Sequence, residues 1–179
     1  MLQTARLELR PATLETLRAA RAGRAALAAE LAARVPPTWP HEFLDDAALQ
    51  FMESRLLKAP QDAEWWMHFV LLKEPDGGRT LVGSGGYKGP PSPDGTVEIG
   101  YGLVSDFRGR GLATEAARAL VRRAFDFPEV RRVIAETLPA LPSSIAVLRR
   151  CGFLRVEEPA SEPEVIRFEV HRSTPKAEL

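Results

Sequence analysis

Six consecutive residues, Arg108-Gly109-Arg110-Gly111-Leu112-Ala113, have the composition of a turn that holds a polyanion. If a helix begins within this run, its first N–H groups lack intrahelical acceptors, and the helix dipole adds partial positive charge there. Small residues at Gly109, Gly111 and Ala113 let phosphate oxygens approach those donors closely. Across residues 105–123, Arg108, Arg110, Arg118, Arg122 and Arg123 stand against Asp106 and Glu115, a local excess of positive charge. A glycine-rich turn with solvated arginines has the same composition, so the flanking segments must decide between the two readings.

The segment before the turn, Thr96 to Val104, alternates as a strand. Val97, Ile99, Tyr101 and Leu103 form one face, which is a packing face; Glu98, Gly100, Gly102 and Val104 form the other. That second face offers a carboxylate beside two missing side chains. Glycines inside a strand often mark close approach by a ligand, and here they predict a groove in which an extended molecule reaches Glu98. After the turn, Leu112, Ala116, Leu120, Ala124 and Phe127 recur at helical spacing, so a helix runs from about 111 to 127. Strand, glycine-rich turn and helix together favour the anion-binding reading.

Other phosphate and nucleophile motifs fail. A dinucleotide fingerprint needs glycine at position 114, which is Thr114. A P-loop needs Gly-Lys-Ser/Thr, but Lys88 lies between Tyr87 and Gly89. A nucleophile elbow at Ser84 needs glycine at position 82, which is Val82.

The rest of the chain must position this segment. Ala5 to Arg10 alternates as a short strand ended by Pro11, and Thr13 caps a helix over 13–34 that Gly23 can divide. Prolines 36, 37 and 40 make a loop unusually rich in rings, with Trp39, His41 and Phe43; a helix then runs from Asp45 to about Leu57. Trp65 to Leu72 is apolar on both faces, as in a central strand. Asp76-Gly77-Gly78 turns it into a second strand, Thr80 to Tyr87. Beyond the 111–127 helix the pattern gives a strand at 131–138, a short helix at 143–151 stopped by Gly152, and strands at 153–157 and 165–171. This order describes one mixed sheet with helices packed on it, over a domain of residues 1–174 with 175–179 frayed.

Composition bounds the function. The 24 basic and 24 acidic residues cancel in a chain of 179, so no global field attracts nucleic acid or a membrane. One cysteine, Cys151, excludes an intrachain disulfide and suits a small core position. His41, His68 and His171 lie far apart, and no metal-ligand spacing exists. No signal-like segment opens the chain, which places it in the cytoplasm as a soluble protein. A homodimer is compatible with this sequence, but nothing in it specifies one.

The segment 96–116 resembles motif A of the GNAT superfamily of acyl-CoA-dependent N-acetyltransferases, whose Arg/Gln-x-x-Gly-x-Gly/Ala is matched by Arg108, Gly111 and Ala113. ARLELRP and SSIAVLRRCGF are similar to the opening strand and later helix of the branch that includes ribosomal-protein N-terminal acetyltransferases. The resemblance implies an α+β fold: a splayed, mostly antiparallel mixed sheet of about six to seven strands, with about four helices on both faces. It implies acetyl-CoA as co-substrate, no metal, and direct acetyl transfer to an amine. Backbone groups of Leu103 and Val104 would pair with the pantetheine arm. The turn of Arg108, Gly109, Arg110, Gly111, Leu112, Ala113 and Thr114 would hold the pyrophosphate, through the amides of 109–114.

Glu98 is then the candidate base, with Glu136 on the facing strand as the fallback; each is equally an ordinary surface carboxylate by type. The acceptor would enter over residues 33–60, where Trp39 and Phe43 are candidate pocket residues or simple loop packing. Two departures stand out. Leu148 replaces the tyrosine that many members use as general acid, and Leu141 replaces an asparagine before Pro142. Ser144 becomes the candidate acid, unless its hydroxyl makes a local helix-terminal bond; Tyr101, on the packing face, does not. These departures keep open a non-catalytic acyl-CoA-binding module, and Thr114 disfavours a nucleotide binder.

Overall fold

The computed structural model describes residues 1–157 and 160–172. The frayed tail expected at 175–179 lies outside the described residues. Among those described, eight strands form one sheet in the order β1-β2-β3-β4-β5-β6-β8-β7. The strands are β1 (Leu2–Gln3), β2 (Leu7–Pro11), β3 (Met67–Lys73), β4 (Arg79–Tyr87), β5 (Thr96–Leu103), β6 (Arg132–Thr137), β7 (Leu154–Val156) and β8 (Ile166–His171). Every neighbouring pair is antiparallel except β5 and β6. The helices are α1 (Leu14–Ala22), α2 (Arg24–Leu31), α3 (Asp46–Lys58), α4 (Leu112–Phe125) and α5 (Pro142–Arg150).

The architecture matches expectation, with three local differences. Gly23, at φ +125°, cannot continue a helix, so the 13–34 segment is two helices. Thr13 caps the first, with Thr16 completing a reciprocal capping box in place of the usual Glu or Gln. Leu2 and Gln3, too short to show a period, pair with Leu9 and Glu8 and add an edge strand. Pro60 starts a 3-10 segment through Trp65 that delays the third strand to Met67.

The two faces of the sheet carry separate cores. Leu112, Ala116, Leu120 and Ala124 of α4 pack on Val97, Ile99 and Leu103 of β5, with Leu148 and Phe153 beside them. Leu17, Leu27, Leu31, Leu49 and Leu56 of α1 to α3 cover the opposite face over Phe69, Leu71 and Leu81. The apolar run of β3 therefore meets a core on each side, as its sequence requires. Among the described residues, no helix is long and apolar enough to cross a membrane, and no group of three His, Cys, Asp or Glu side chains is placed to hold a metal ion.

Candidate active site

The turn into α4 is built for donors. Gly109 and Gly111 adopt φ values of +74° and +75°, a left-handed conformation that side chains resist. Gly111 caps α4 without any side-chain acceptor. Among the described residues, the amides of 109–114 donate to no carbonyl or side chain. Leu112 and Thr114 are buried, so this stretch presents backbone to solvent and keeps those side chains inside. The Arg110 guanidinium stacks 5.2 Å from the Phe107 ring centroid, and Arg6, just before β2, crosses to bond the Arg110 carbonyl at 3.0 Å and Glu115 at 2.7 Å. A groove of about 770 Å³ opens beside the turn along α4, lined by Arg6, Gly111, Arg118 and Cys151 among others. Cys151 is half-buried there, with Sγ 3.6 Å from the Thr114 carbonyl.

Two of the five arginines counted in this segment do not serve the turn. Arg123 pairs with Glu64 at 2.7 Å. Arg108 turns away from the amides, bonding Glu42 through one terminal nitrogen and the Leu103 carbonyl through Nε at 3.0 Å. Acids outside the 105–123 window satisfy both, and a local charge count cannot see them.

Beside the turn, the sheet opens. β5 and β6 share three register pairs, Thr96 with Arg132, Val97 with Val133 and Glu98 with Ile134, and then part. The Glu98 carbonyl accepts from the N–H of Lys88, the residue just after β4, and Val104 N–H donates to the Val82 carbonyl on β4. Even-numbered residues of β5 therefore aim their peptide groups at β4, and odd-numbered Tyr101 and Leu103 aim theirs into the opening. This corrects the expected pantetheine partners: Val104 N–H is committed to Val82 and the Leu103 carbonyl to Arg108. The groups left facing the cleft are the Leu103 N–H and those of Tyr101.

On the α3 side of β5, the buried Oε1 of Glu98 is held in a close ion pair with Lys88 Nζ. The two glycines beyond it differ. A β-carbon at Gly100 would meet nothing within 4 Å, whereas one at Gly102 would lie 2.4 to 2.8 Å from the His41 ring. The groove is therefore not continuous: His41 fills the notch over Gly102, leaving an opening one residue wide at Gly100. His41 Nδ1 accepts from Phe43 N–H at 3.3 Å, so Nε2 carries the proton and donates to Ser84 Oγ at 2.7 Å. Burial pushes the imidazole pKa down to about 4, which keeps it neutral.

His41 and Ser84 are the residues that sequence reasoning missed. Forty-three positions separate them, and the one available cue was the crowd of rings between the prolines. Trp39, expected as a pocket candidate, is core instead: it is buried against Phe69, ring centroids 6.0 Å apart. Phe43 stays exposed at the rim. The loop is tied to the turn by Arg108 with Glu42 and by Thr38 Oγ1 donating to Asp106 at 3.1 Å.

The α5 side of the cleft holds Ser144, half-buried in the first turn of its helix. Tyr101 reaches it: the phenol donates to the Ser144 carbonyl at 3.3 Å and lies 3.5 Å from Ser144 Oγ. Tyr101 was set aside because its parity places it on the packing face; that face, past the parting of β5 and β6, is also a wall of the cleft. Leu148 is fully buried in the core. Glu136 is committed elsewhere. Burial works to raise its pKa, but bonds from Ser161 and Arg167 outweigh that and hold it low, with the carboxylate 3% exposed. A fixed, paired carboxylate is a poor base, so the fallback role is withdrawn.

Comparison with known proteins places this geometry. The acetyltransferase (GNAT) domain family matches residues 6–154. The uncharacterized N-acetyltransferase YjdG of Bacillus subtilis strain 168 is 26% identical over 154 residues, spanning 86% of this chain and 89% of that protein. The acetyltransferase from Agrobacterium tumefaciens strain C58 superposes with a TM-score of 0.66 at 24% identity, covering 96% of this chain and 94% of that one. A ribosomal L7/L12 alpha-N-protein acetyltransferase, RimL, solved with coenzyme A, gives 0.62 at 18% identity, covering 94% and 95%. At these identities the two structures speak to the fold.

Proposed function

Since the chain belongs to the GNAT acetyltransferase family, and is thereby an N-acetyltransferase that draws on acetyl-CoA, we propose that it transfers the acetyl group directly to a slender primary amine admitted at Gly100. The observation that carries this reading is the set of amides at 109–114 without internal acceptors, standing at the mouth of the cleft between β5 and β6. A diphosphate satisfies such donors. The groove lined by Arg6 and Arg118 leaves room beside it for the nucleotide end.

Reach supports the placement. About thirteen bonds separate phosphorus from sulfur in a phosphopantetheine arm; at the extended-chain advance of about 3.5 Å per three bonds, this is about 15 Å. Counting back along β5 from Val104 at about 3.4 Å per residue, the sulfur arrives a little over four residues back, beside Gly100. Glu98 stands two residues further on the α3 side and Ser144 on the α5 side. The acceptor amine would thus approach past Glu98 on one face while the thiol leaves toward the other.

In this reading Glu98 takes the proton the amine loses, directly or through water, as the Lys88 ion pair opens. An α-amine, with a pKa near 8, needs less help than a lysine side chain near 10.4. Holding both reactants in register contributes several kcal/mol without any covalent enzyme intermediate. His41, neutral and fixed by Ser84, walls the opening on its far side.

A panel of primary amines, assayed for CoA release, tests this reading and identifies the acceptor class. Glu98→Gln should lower kcat by about 100-fold while leaving acetyl-CoA affinity within about twofold; unchanged turnover removes Glu98 from the mechanism. Buried Leu148, in place of a hydroxyl, favours a second reading, a binding module that holds acetyl-CoA without transferring it. Tight acetyl-CoA binding with no turnover on any amine would establish that one instead.

A further inference from the structure

The charge that develops on the departing sulfur lacks an obvious hydrogen-bond donor, because Leu148 is sealed in the core. The wall of the cleft supplies another hydroxyl. Tyr101 lies on β5 beyond the last β5–β6 pair, on the face toward α5, and its phenol crosses the opening to Ser144. A tyrosine amid Val97, Ile99 and Leu103 has its ring half-buried while those three side chains are buried. Its oxygen is therefore the polar atom of that face, and it points to where β6 has departed. Glu98 and Gly100, of opposite parity, face the other side. Base and phenol flank the one stretch of strand at which the reach of a pantetheine arm places the thioester.

We propose that Tyr101 is a catalytic residue, its phenol donating a hydrogen bond to the departing CoA sulfur and so stabilising the thiolate as it forms. The inference rests on the reading above that acetyl-CoA occupies this cleft. The amine lone pair forms a C–N bond to the acetyl carbon, and the carbonyl π electrons move to oxygen. As that oxyanion collapses, the C–S pair leaves with sulfur as a thiolate, which accepts a hydrogen bond from the Tyr101 phenol. The nitrogen gives one proton to Glu98. Glu98 then releases its proton to water and the thiolate takes one from solvent, so amide and free thiol are the net products.

Several physical features fit. Burial raises the phenol pKa to about 12, above a thiol near 8.5, so the phenol keeps its proton and serves the sulfur as a hydrogen-bond donor. The contacts to Ser144, at 3.3 and 3.5 Å, are long for O–H donors, so little is lost when the phenol turns to a better acceptor. A thiolate is such an acceptor, since bonds to charged groups are about twice as strong as neutral ones.

The test is the ionisation of bound CoA, followed by the ultraviolet absorbance of its thiolate, in the wild type and in Tyr101→Phe. A phenol that donates to sulfur stabilises the thiolate, so the bound thiol should titrate about one unit lower in the wild type than in the variant. In the acetyl-transfer assay, Tyr101→Phe should lower kcat by at least about tenfold with little change in KM for acetyl-CoA. Ser144→Ala, which removes the neighbouring hydroxyl but leaves the phenol, should lower kcat less and leave the thiol titration as in the wild type. Identical thiol titrations in wild type and Tyr101→Phe overturn the proposal, as does unchanged kcat. Failure of the wild type to bind CoA overturns the functional reading itself, and the proposal falls with it.

Discussion

Gly100 and Gly102 sit two residues apart on the same face of the same strand, yet they should respond oppositely to the same added methyl group. Neither needs a positive φ, so alanine suits both backbones. At Gly102 the new carbon would lie 2.4 Å from His41 Cε1, and ordinary contact begins near 3.4 Å, so something must yield by about 1 Å. His41 has little room to yield: it is buried, bonded to Ser84 at 2.7 Å, and set edge-on to Trp39 at 6.2 Å. Displacing it adds overpacking to a buried imidazole N–H without its acceptor, together about 3 kcal/mol. For a chain of this length that is a fall in Tm of about 6 to 12 °C. Gly100→Ala meets nothing; by narrowing the unfolded ensemble it should stabilise by about 0.4 to 1 kcal/mol. Its methyl nevertheless occupies the opening beside Glu98, so acetyl transfer should fall at least about tenfold while acetyl-CoA affinity holds. Scanning calorimetry of both variants, with transfer assays on Gly100→Ala, decides the matter. Equal melting temperatures for the two would refute the packing argument, and wild-type transfer by Gly100→Ala would show that the amine enters elsewhere.

Gly111→Val should abolish acetyl-CoA binding measured by titration calorimetry, because a β-branched residue resists φ +75° and the turn must move; wild-type affinity would contradict the amide cradle. Stability should also fall steeply with acid. Burial holds both His41 and His68 at pKa values of about 4, below the unfolded value of about 6.5. The unfolded chain therefore takes up protons first, so the contribution is complete above pH 6.5 and is lost as pH drops toward 4. Two such groups give a slope of about 2.7 kcal/mol per pH unit, or about 4 kcal/mol between pH 7 and 5. Urea unfolding at the two pH values measures it, and equal free energies would mean that neither imidazole is kept neutral.

Local pattern revealed the framework and the turn, because both are written in short-range terms. The period of α4, the alternation of β5 and the glycines of 109–111 each depend on neighbours within a few positions. Three things were hidden. Arg108 was placed by Glu42, sixty-six residues away, and no charge count over its own segment contains that partner. Gly102 has the same type and parity as Gly100, and only the fold reveals that a histidine from the loop at 36–44 occupies its notch. Tyr101 was judged by which face it shares, but a face stops being a packing surface where the neighbouring strand departs. Trp39 was open between pocket lining and loop packing, and only the fold decides for packing, since its ring anchors the loop against Phe69.

The parting of β5 from β6 also bears on how the chain behaves without its donor. Beyond Glu98 and Ile134 the fold holds two strand edges inside a single sheet, and unsatisfied edges recruit other strands. Outer edges can be blunted with charge or prolines, but this seam must stay bare to admit a guest. On the proposed reading, the protein starved of acetyl-CoA should be open to cross-chain pairing and clumping along that line, and acetyl-CoA lying in the cleft would fill the gap. The same molecule that provides the acetyl group would then also act as a stopper, and shelf life in solution should lengthen with its concentration.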